Sequence, residues 1–392
     1  MPSFGRSMLQ HWLLDPGIVY LNHGTVGAPP VRVLRKQQAL REEIERQPAR
    51  FILRELNLHN PAPWRSESRL REAIRDVAAF VGSRPDDLVF VPNVTTGINA
   101  VLRSVALGPG DEMLVTNLAY GAIALAAGVA ARERGVTLRT LTMPHPVRSP
   151  GDVVEAIVAA LSDRTRLLVV DHVAAQTALV LPIRAIAEAC RARNVDVLVD
   201  GAHAPGSIAL DIPSLGVDWY SANLHKWAHA PRACGILWSR PERQAMLRNP
   251  ITSWGSGRGF HEEFEEIATA DPTSALAAPE GIAMLGEWGF QDVLDYMHGL
   301  AWEAACVLTG RWGTTHATPR EMAGAMITVP LPVAVGHTTE DAARLRLALL
   351  VEDAIEVPIH AAHEQLWARI SAQVYNDRSD IDRLADAVAR RL

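Results

Sequence analysis

The sequence predicts an α/β protein, with a large domain on a mostly parallel seven-stranded sheet and a smaller carboxyl-terminal α+β domain. Three observations carry this. Short β-branched runs alternate with helix-like segments from Asp87 to Ser239. Several runs, LLVV and VLV among them, are uninterruptedly apolar, as strands buried on both faces are. After Pro241 the alternation stops, and the chain turns loop-rich and then largely helical.

Ahead of the alternating block, Leu70, Ile74, Val77, Ala78 and Val81 recur at helical spacing, and Gly82 is a natural stop. The strands expected next are Leu88–Val91, Met113–Thr116, Leu138–Thr142, Leu167–Val170, Val195–Val199, Trp219–Ser221 and Gly235–Trp238. Helical patterns at Gly97–Ala106, Ala119–Arg134, Asp152–Leu161 and Ile183–Arg193 separate them, which is the arrangement of βαβ units. Beyond the loop ITSWGSGRGFHEEFEE, one long helix interrupted by glycines is expected from about Thr273 to Gly310. A strand-like MITVPLP, a helix at Thr339–Leu350 and a last helix at Asp380–Leu392 complete the reading. The implied organisation is an amino-terminal segment, 1–22, packing on the small domain, a large domain, 23–265, and a small domain, 266–392.

Composition narrows the function. With 392 residues, 48% hydrophobic and 21% charged, the chain is neither disordered nor collagen-like. A net charge of −6 and a pI near 6.2 give no footprint for nucleic acid. Cys190, Cys234 and Cys306 lie far apart and form no CxxC, against a disulfide scaffold or thiolate zinc site. His225 and His229 have a zinc-like spacing but no third ligand, so no metal is expected. The apolar stretch Ala122–Ala131 is about half a membrane span. The amino terminus, MPSFGRSMLQHWLLDPG, lacks a long apolar core and a cleavage site. The expectation is a cytoplasmic protein without membrane or nucleic-acid partners.

The strongest chemical signal is VDVLVDGAHAPG followed by SANLHKW. Asp200 directly follows a buried strand, at the sheet edge where open α/β folds bind ligands. Lys226 is read as ending another strand, between His225 and Trp227, where partial desolvation favours its neutral, nucleophilic form. An acid and an amine converging there suit a Schiff base to an aldehyde cofactor, with the carboxylate holding a pyridinium proton. A plain Asp–Lys ion pair is the alternative. Asn93–Asn99, NVTTGIN, opens a helix after a strand and suits phosphate at the helix amino terminus, or else simple N-capping by Thr95 or Thr96.

Taken together, these motifs resemble the class V aminotransferase family of fold-type I enzymes that use pyridoxal 5'-phosphate (PLP), and within it the isopenicillin N epimerase-like proteins and related carbon–sulfur lyases. The resemblance spans roughly Ile18 to Leu392 through YLNHGTVGAPP, PNVTTGIN, NLAYGA, DHVAAQTALVLPI, DGAHAPG, SANLHKW, TADPTSALAAP and RISAQVYN. It implies that Lys226 is the Schiff-base lysine, Asp200 the partner of the pyridine nitrogen, and Tyr120 the group stacking on the cofactor ring. It further implies cofactor contacts from Thr95, Thr96, Ser221, Asn223 and His225 at the phosphate, and from His172 and His203 around the ring. Thr269 matches a residue that reaches the phosphate of a second subunit, which implies a homodimer with shared sites. Asn22, His23 and Arg369 match substrate-facing positions, with Arg369 similar to an arginine that grips an α-carboxylate through its planar fork. A surface arginine stacking on Trp367 or pairing with Asp377 is the alternative for that residue.

Two departures shape the implied reaction. Val357–Arg369 has no cysteine where cysteine desulfurases carry a nucleophilic one, which disfavours persulfide chemistry. ATAD at 268–271 replaces the GTRD of related enzymes, removing an arginine. The resemblance thus implies a small amino-acid substrate and either epimerisation or C–S β-elimination. Transamination is the alternative within the enzyme class. A PLP-binding protein without turnover is the alternative outside it, while a nicotinamide dehydrogenase would need a glycine-rich turn where Thr95-Thr96 stand.

Overall fold

The computed structural model describes residues 3–56 and 62–392. Its strands, in chain order, are β1 Val19–Tyr20, β2 Leu88–Val91, β3 Glu112–Thr116, β4 Thr137–Leu141, β5 Thr165–Asp171, β6 Asp196–Asp200, β7 Trp219–Asn223 and β8 Gly235–Ser239, then β9 Met326–Pro330, β10 Ile355–Glu356, β11 Ile359–Ala362 and β12 Gln365–Ser371. The longer helices are α1 Val31–Arg46, α2 Arg69–Phe80, α3 Val94–Ser104, α4 Gly121–Arg134, α5 Pro150–Ala160, α6 Ile183–Arg191, α7 Thr273–Glu287, α8 Phe290–Trp312, α9 Thr339–Asp353 and α10 Arg378–Ala389.

Seven strands form the large sheet in the order β2-β8-β7-β6-β5-β3-β4. All pairings among β3 to β7 are parallel, and only β8 runs against its neighbours. Side chains alternate between two apolar layers, as the pleat requires. Leu88, Leu114, Leu168 and Val197 pack under α2, α5, α6 and α7 on one face. Val89, Met113, Val169 and Leu198 pack under α3 and α4 on the other. The apolar runs in the sequence come from this burial on both faces. β4, at the sheet edge, is mostly exposed, which explains the Arg139 in its middle.

The smaller body is the antiparallel sheet β11-β12-β9, backed by α9, α10 and the later turns of α8. The expected long helix is two, α7 and α8, because Gly289 adopts a positive φ of 80° between them. Leu276, Met284, Val293 and Met297 belong to the large core, whereas Leu300 onward belongs to the small one. The apolar division therefore falls inside α8, later than the expected break at residue 265. Of the expected amino-terminal segment, residues 1 and 2 lie outside the described residues. The rest ties both bodies together. β1 pairs in parallel with β10, and Gly5 donates to the Val374 carbonyl at 2.8 Å. Met8 and Trp12, by contrast, sit in the large core. Among the described residues no helix is long and apolar enough to cross a membrane.

Candidate active site

Since β2, β3, β5, β6 and β7 all run one way, their carboxyl ends share an edge. The topology therefore gathers the turns carrying Thr95 and Thr96, Tyr120, Asp171 and His172, Asp200, and Lys226.

Asp200 closes β6 and is buried. Its Oδ1 accepts the Ala202 N–H at 2.9 Å, while its Oδ2 is buried without a hydrogen-bond partner among the described residues. Burial raises its pKa, and the Ala202 N–H and the charge of Lys226 oppose that rise. An unpartnered buried carboxylate oxygen calls for a donor, and a protonated ring nitrogen supplies one. Just past the end of the neighbouring strand β5, His172 is also buried, its Nδ1 2.8 Å from the Tyr220 hydroxyl, and burial pulls it down to about 4.

Lys226 does not end its strand. β7 stops at Asn223, and the N–H groups of Leu224 and His225 both donate to the Cys234 carbonyl, closing a turn that carries the lysine beyond the edge. Its Nζ lies 3.2 Å from His203 Nε2. Burial draws the amine down to about 8; the charge of Asp200 opposes this and that of Arg369 reinforces it. His203 is held neutral by burial and by the Lys226 charge, and its Nδ1 has no partner. His23 takes a position beneath the lysine. Its Nε2 meets the Lys226 carbonyl and its Nδ1 the Tyr375 hydroxyl, both at 2.9 Å, so its two nitrogens are already engaged by protein.

At the start of α3, Asn93 caps the helix by accepting from Thr96 N–H at 3.0 Å, and Asn223 Oδ1 accepts from Val94 N–H at 2.9 Å. Thr95, rather than being the cap, is left with its amide and hydroxyl free of partners among the described residues. Ser221 donates to the Ile236 carbonyl at 3.0 Å and braces α3 from below. A Cβ at Gly97 would strike its hydroxyl, so the helix approaches this closely only because residue 97 is glycine. His225 Nδ1 contacts the Cys234 carbonyl at 2.8 Å, whereas His229 lies buried against Trp12 and Trp288, so the zinc-like pair is split. Tyr120 caps α4 with 52% of its surface exposed. Thr269 stands on an exposed loop and is not brought to this cluster by any hydrogen bond of its own chain among the described residues.

Arg369 approaches from the small body. It is 7% exposed, and on β12 it pairs in register with Thr328 of β9. Nη1 donates to the Ala175 carbonyl at 2.5 Å, and Nη2 to Thr25 Oγ1 at 2.7 Å and Asn22 Oδ1 at 3.4 Å. Asn22 is in turn fixed by Glu356 at 2.7 Å. Nε is buried without a partner. Arg369 neither stacks on Trp367 nor meets Asp377, which caps α10 instead.

Sequence reasoning missed Asp171, Tyr220, Thr25 and the Ala175–Gln176 turn. Asp171 carries the same signal as Asp200, an acid directly after an apolar strand. Thr25 and Ala175 have none, since each acts through a tertiary contact.

A lone lysine with a lowered pKa, a buried acid with a vacant oxygen and a helix amino terminus, all on one edge of a mostly parallel sheet, define a pyridoxal-phosphate enzyme. Asp200 Oδ2 and the free Thr95 donors fit the ring nitrogen and the phosphate. The chain belongs to the class V aminotransferase family, whose model matches residues 57–384. It is 33% identical over 395 residues to isopenicillin N epimerase from Amycolatopsis lactamdurans, covering 96% of this chain and 95% of that protein. It is 30% identical over 403 residues to a probable chloroplastic L-cysteine desulfhydrase from Arabidopsis thaliana, covering 95% and 83%. Among solved structures, a cystine C–S lyase in complex with cysteine persulfide has the same fold, with a TM-score of 0.78 at 23% identity over 95% of this chain and 97% of that one. A cysteine desulfurase from Escherichia coli does so with 0.77 at 19% over 100% and 99%.

Proposed function

We propose that this enzyme binds an α-amino acid by its carboxylate at Arg369 and epimerises it at Cα or eliminates a sulfur group from Cβ. The observation that carries the reading is Arg369 itself. It is a buried guanidinium with no carboxylate within ion-pair distance among the described residues. A buried cation is costly without an anion, so the substrate's carboxylate completes the site. Its charge acts on Lys226 and His203, which supports a cleft shared by the carboxylate and the reacting amine.

When bound, PLP supplies an electron sink for the pair left at Cα. The chain's own groups then have separate tasks. Asp200 holds a proton on the ring nitrogen through its vacant oxygen. Lys226, once neutral, takes the α-proton at Nζ, and His203 receives a hydrogen bond from that amine. Thr95, with Thr96 and Asn223 beneath it, anchors the phosphate at α3. Delivery of a proton from solvent to the opposite face inverts Cα; loss of a thiolate from Cβ, followed by hydrolysis with one water, gives pyruvate and ammonia. The named relatives support both branches, and no signal favours transamination. Incubating the holoenzyme with a panel of amino acids and S-substituted cysteines, while assaying pyruvate and Cα configuration, decides between them. If neither product forms from any member, the reading fails.

The same reading includes a cytoplasmic homodimer. Thr269 supports it, being exposed and without a hydrogen-bond partner among the described residues of its own chain, as does the exposed Tyr120 face. Hybrids of Lys226→Ala and Thr269→Ala chains should regain activity, because one of their two sites is intact. Verified hybrids without activity would place Thr269 outside any shared site.

A further inference from the structure

We infer that the substrate's side chain ends in a bulky, uncharged ring, and that a cavity beside Arg369, between the two bodies, receives it. The inference rests on the carboxylate reading of Arg369.

The register of the small sheet carries the geometry. Trp367 and Arg369 are two residues apart on β12, so they share one face, about 7 Å apart along the strand. Opposite them on that face stand His360, paired with Trp367, and Thr328, paired with Arg369. The cavity, of about 220 Å³, is lined by Thr328, the register partner of Arg369, and by His360 and Trp367 one pair further along, and so starts at the guanidinium's own pair. The large body closes it with the turn that already holds Arg369. The Ala175 carbonyl accepts from Arg369, and the next carbonyl, Gln176, accepts from Thr328 Oγ1 at 2.7 Å. A substrate with its carboxylate on Arg369 has this cavity within reach of its side chain.

The walls specify the chemistry. Met143, Pro146 and Leu179 supply apolar surface, and among the described residues no aspartate, glutamate, lysine or arginine lines the cavity. His145 and His363 stack at 3.7 Å with 6° between their planes, and Trp367 meets His145 edge-on at 5.8 Å. The Trp367 N–H is satisfied by the Ala362 carbonyl at 2.9 Å, which leaves its ring face as apolar wall. Burial lowers His145 and takes His360 down to about 4, which favours the neutral form of each ring. A cavity of about 150 Å³ suffices for benzene. This one takes a ring with a short linker, favours π contact, and offers a terminal carboxylate or ammonium no acidic, lysine or arginine side chain among the described residues.

The test uses the holoenzyme with S-benzyl-L-cysteine, L-cysteine and S-carboxymethyl-L-cysteine, reading kcat/KM and the dissociation constant from the cofactor's absorbance. S-benzyl-L-cysteine should be preferred about tenfold or more over both others. Trp367→Ala should lower that preference roughly 10- to 100-fold, in dissociation constant as well as rate. Ala362→Phe, which fills the cavity on a strand position, should exclude the benzyl compound while sparing cysteine. Preference for cysteine or the carboxymethyl compound, or equal losses for all three in both variants, overturns the inference and leaves the α-amino-acid reading standing. An absorbance unchanged by every amino acid overturns both.

Discussion

Asp171 and Asp200 end neighbouring parallel strands in direct register, and both carboxyl groups are buried. Two such groups cannot both stay charged at low cost. Burial and the Asp200 charge push Asp171 well above the usual carboxylate range, against the pull of the Tyr120 N–H, whereas Asp200 has Lys226 to hold its charge. The pair thus favours the proton on Asp171 and the charge on Asp200.

The first prediction separates them by the same substitution. Asp171→Asn preserves a neutral group and should keep most activity. Asp200→Asn removes the charge that holds the ring-nitrogen proton and should cost about 3 kcal/mol in kcat, or more than 100-fold. Stability separates them as well. A carboxyl whose folded pKa is raised stabilises fully below its unfolded value and loses that contribution as pH rises toward the folded one. Melting temperatures of Asp171→Asn should therefore gain on the parent as pH rises above the ordinary carboxylate range. Equal kinetic losses in the two variants would reverse the assignment.

The second prediction concerns cofactor loading. Lys36 and Lys226 are the chain's two lysines, and Lys36 sits exposed on α1. Only the neutral amine attacks an aldehyde, so the rate at which the apoprotein takes up PLP should climb with pH and level off above about 8. Arg369→Ala removes a charge that lowers this amine, so the midpoint should move up; Asp200→Asn should move it down. Borohydride should fix the label on Lys226, as peptide mapping reads it. A label on Lys36, or a midpoint near the ordinary lysine value, would remove Lys226 from the role.

Much of this arrangement is legible in the chain because each βα turn at the sheet edge follows an apolar strand. Asp200, Thr95 and Tyr120 announce themselves by position, and the β5-β6 neighbourhood needs no information beyond short runs and a helical crossover, whereas β6 reaches β7 through a connection whose one helical piece is the short turn Pro213–Leu215. What is not legible depends on contacts distant in sequence. Asp171 gains its meaning only from register with Asp200. Lys226 reads as a strand end until the Cys234 carbonyl is seen to bend the chain. His23 looks substrate-facing in the motif, yet it spends both nitrogens beneath the lysine. The helix break at Gly289 is likewise invisible among several glycines, since only its positive φ distinguishes it.

The last prediction tests the carboxylate grip. Arg369 is held from the small body by β12 and from the large body by the Ala175 carbonyl, with Thr25 and Asn22 fixing Nη2. Burial draws even this guanidinium down to about 10, a sign of how little solvent or counter-charge it has. An α-carboxylate would supply the missing charge through charge-assisted hydrogen bonds worth about 2–3 kcal/mol. Arg369→Ala should then lower kcat/KM for amino acids roughly 30- to 150-fold, mainly through KM, and leave the corresponding decarboxylated amines nearly unaffected. Arg369→Lys should recover only part of the loss, because an ammonium lacks the paired donors and its shorter reach loses the Ala175 or Thr25 contact. Since the substitution also removes a tie between the two bodies, melting temperature should be measured alongside. A stability loss with equal effects on amino acids and amines would make Arg369 a structural clamp, and the α-amino-acid assignment would lose its principal support.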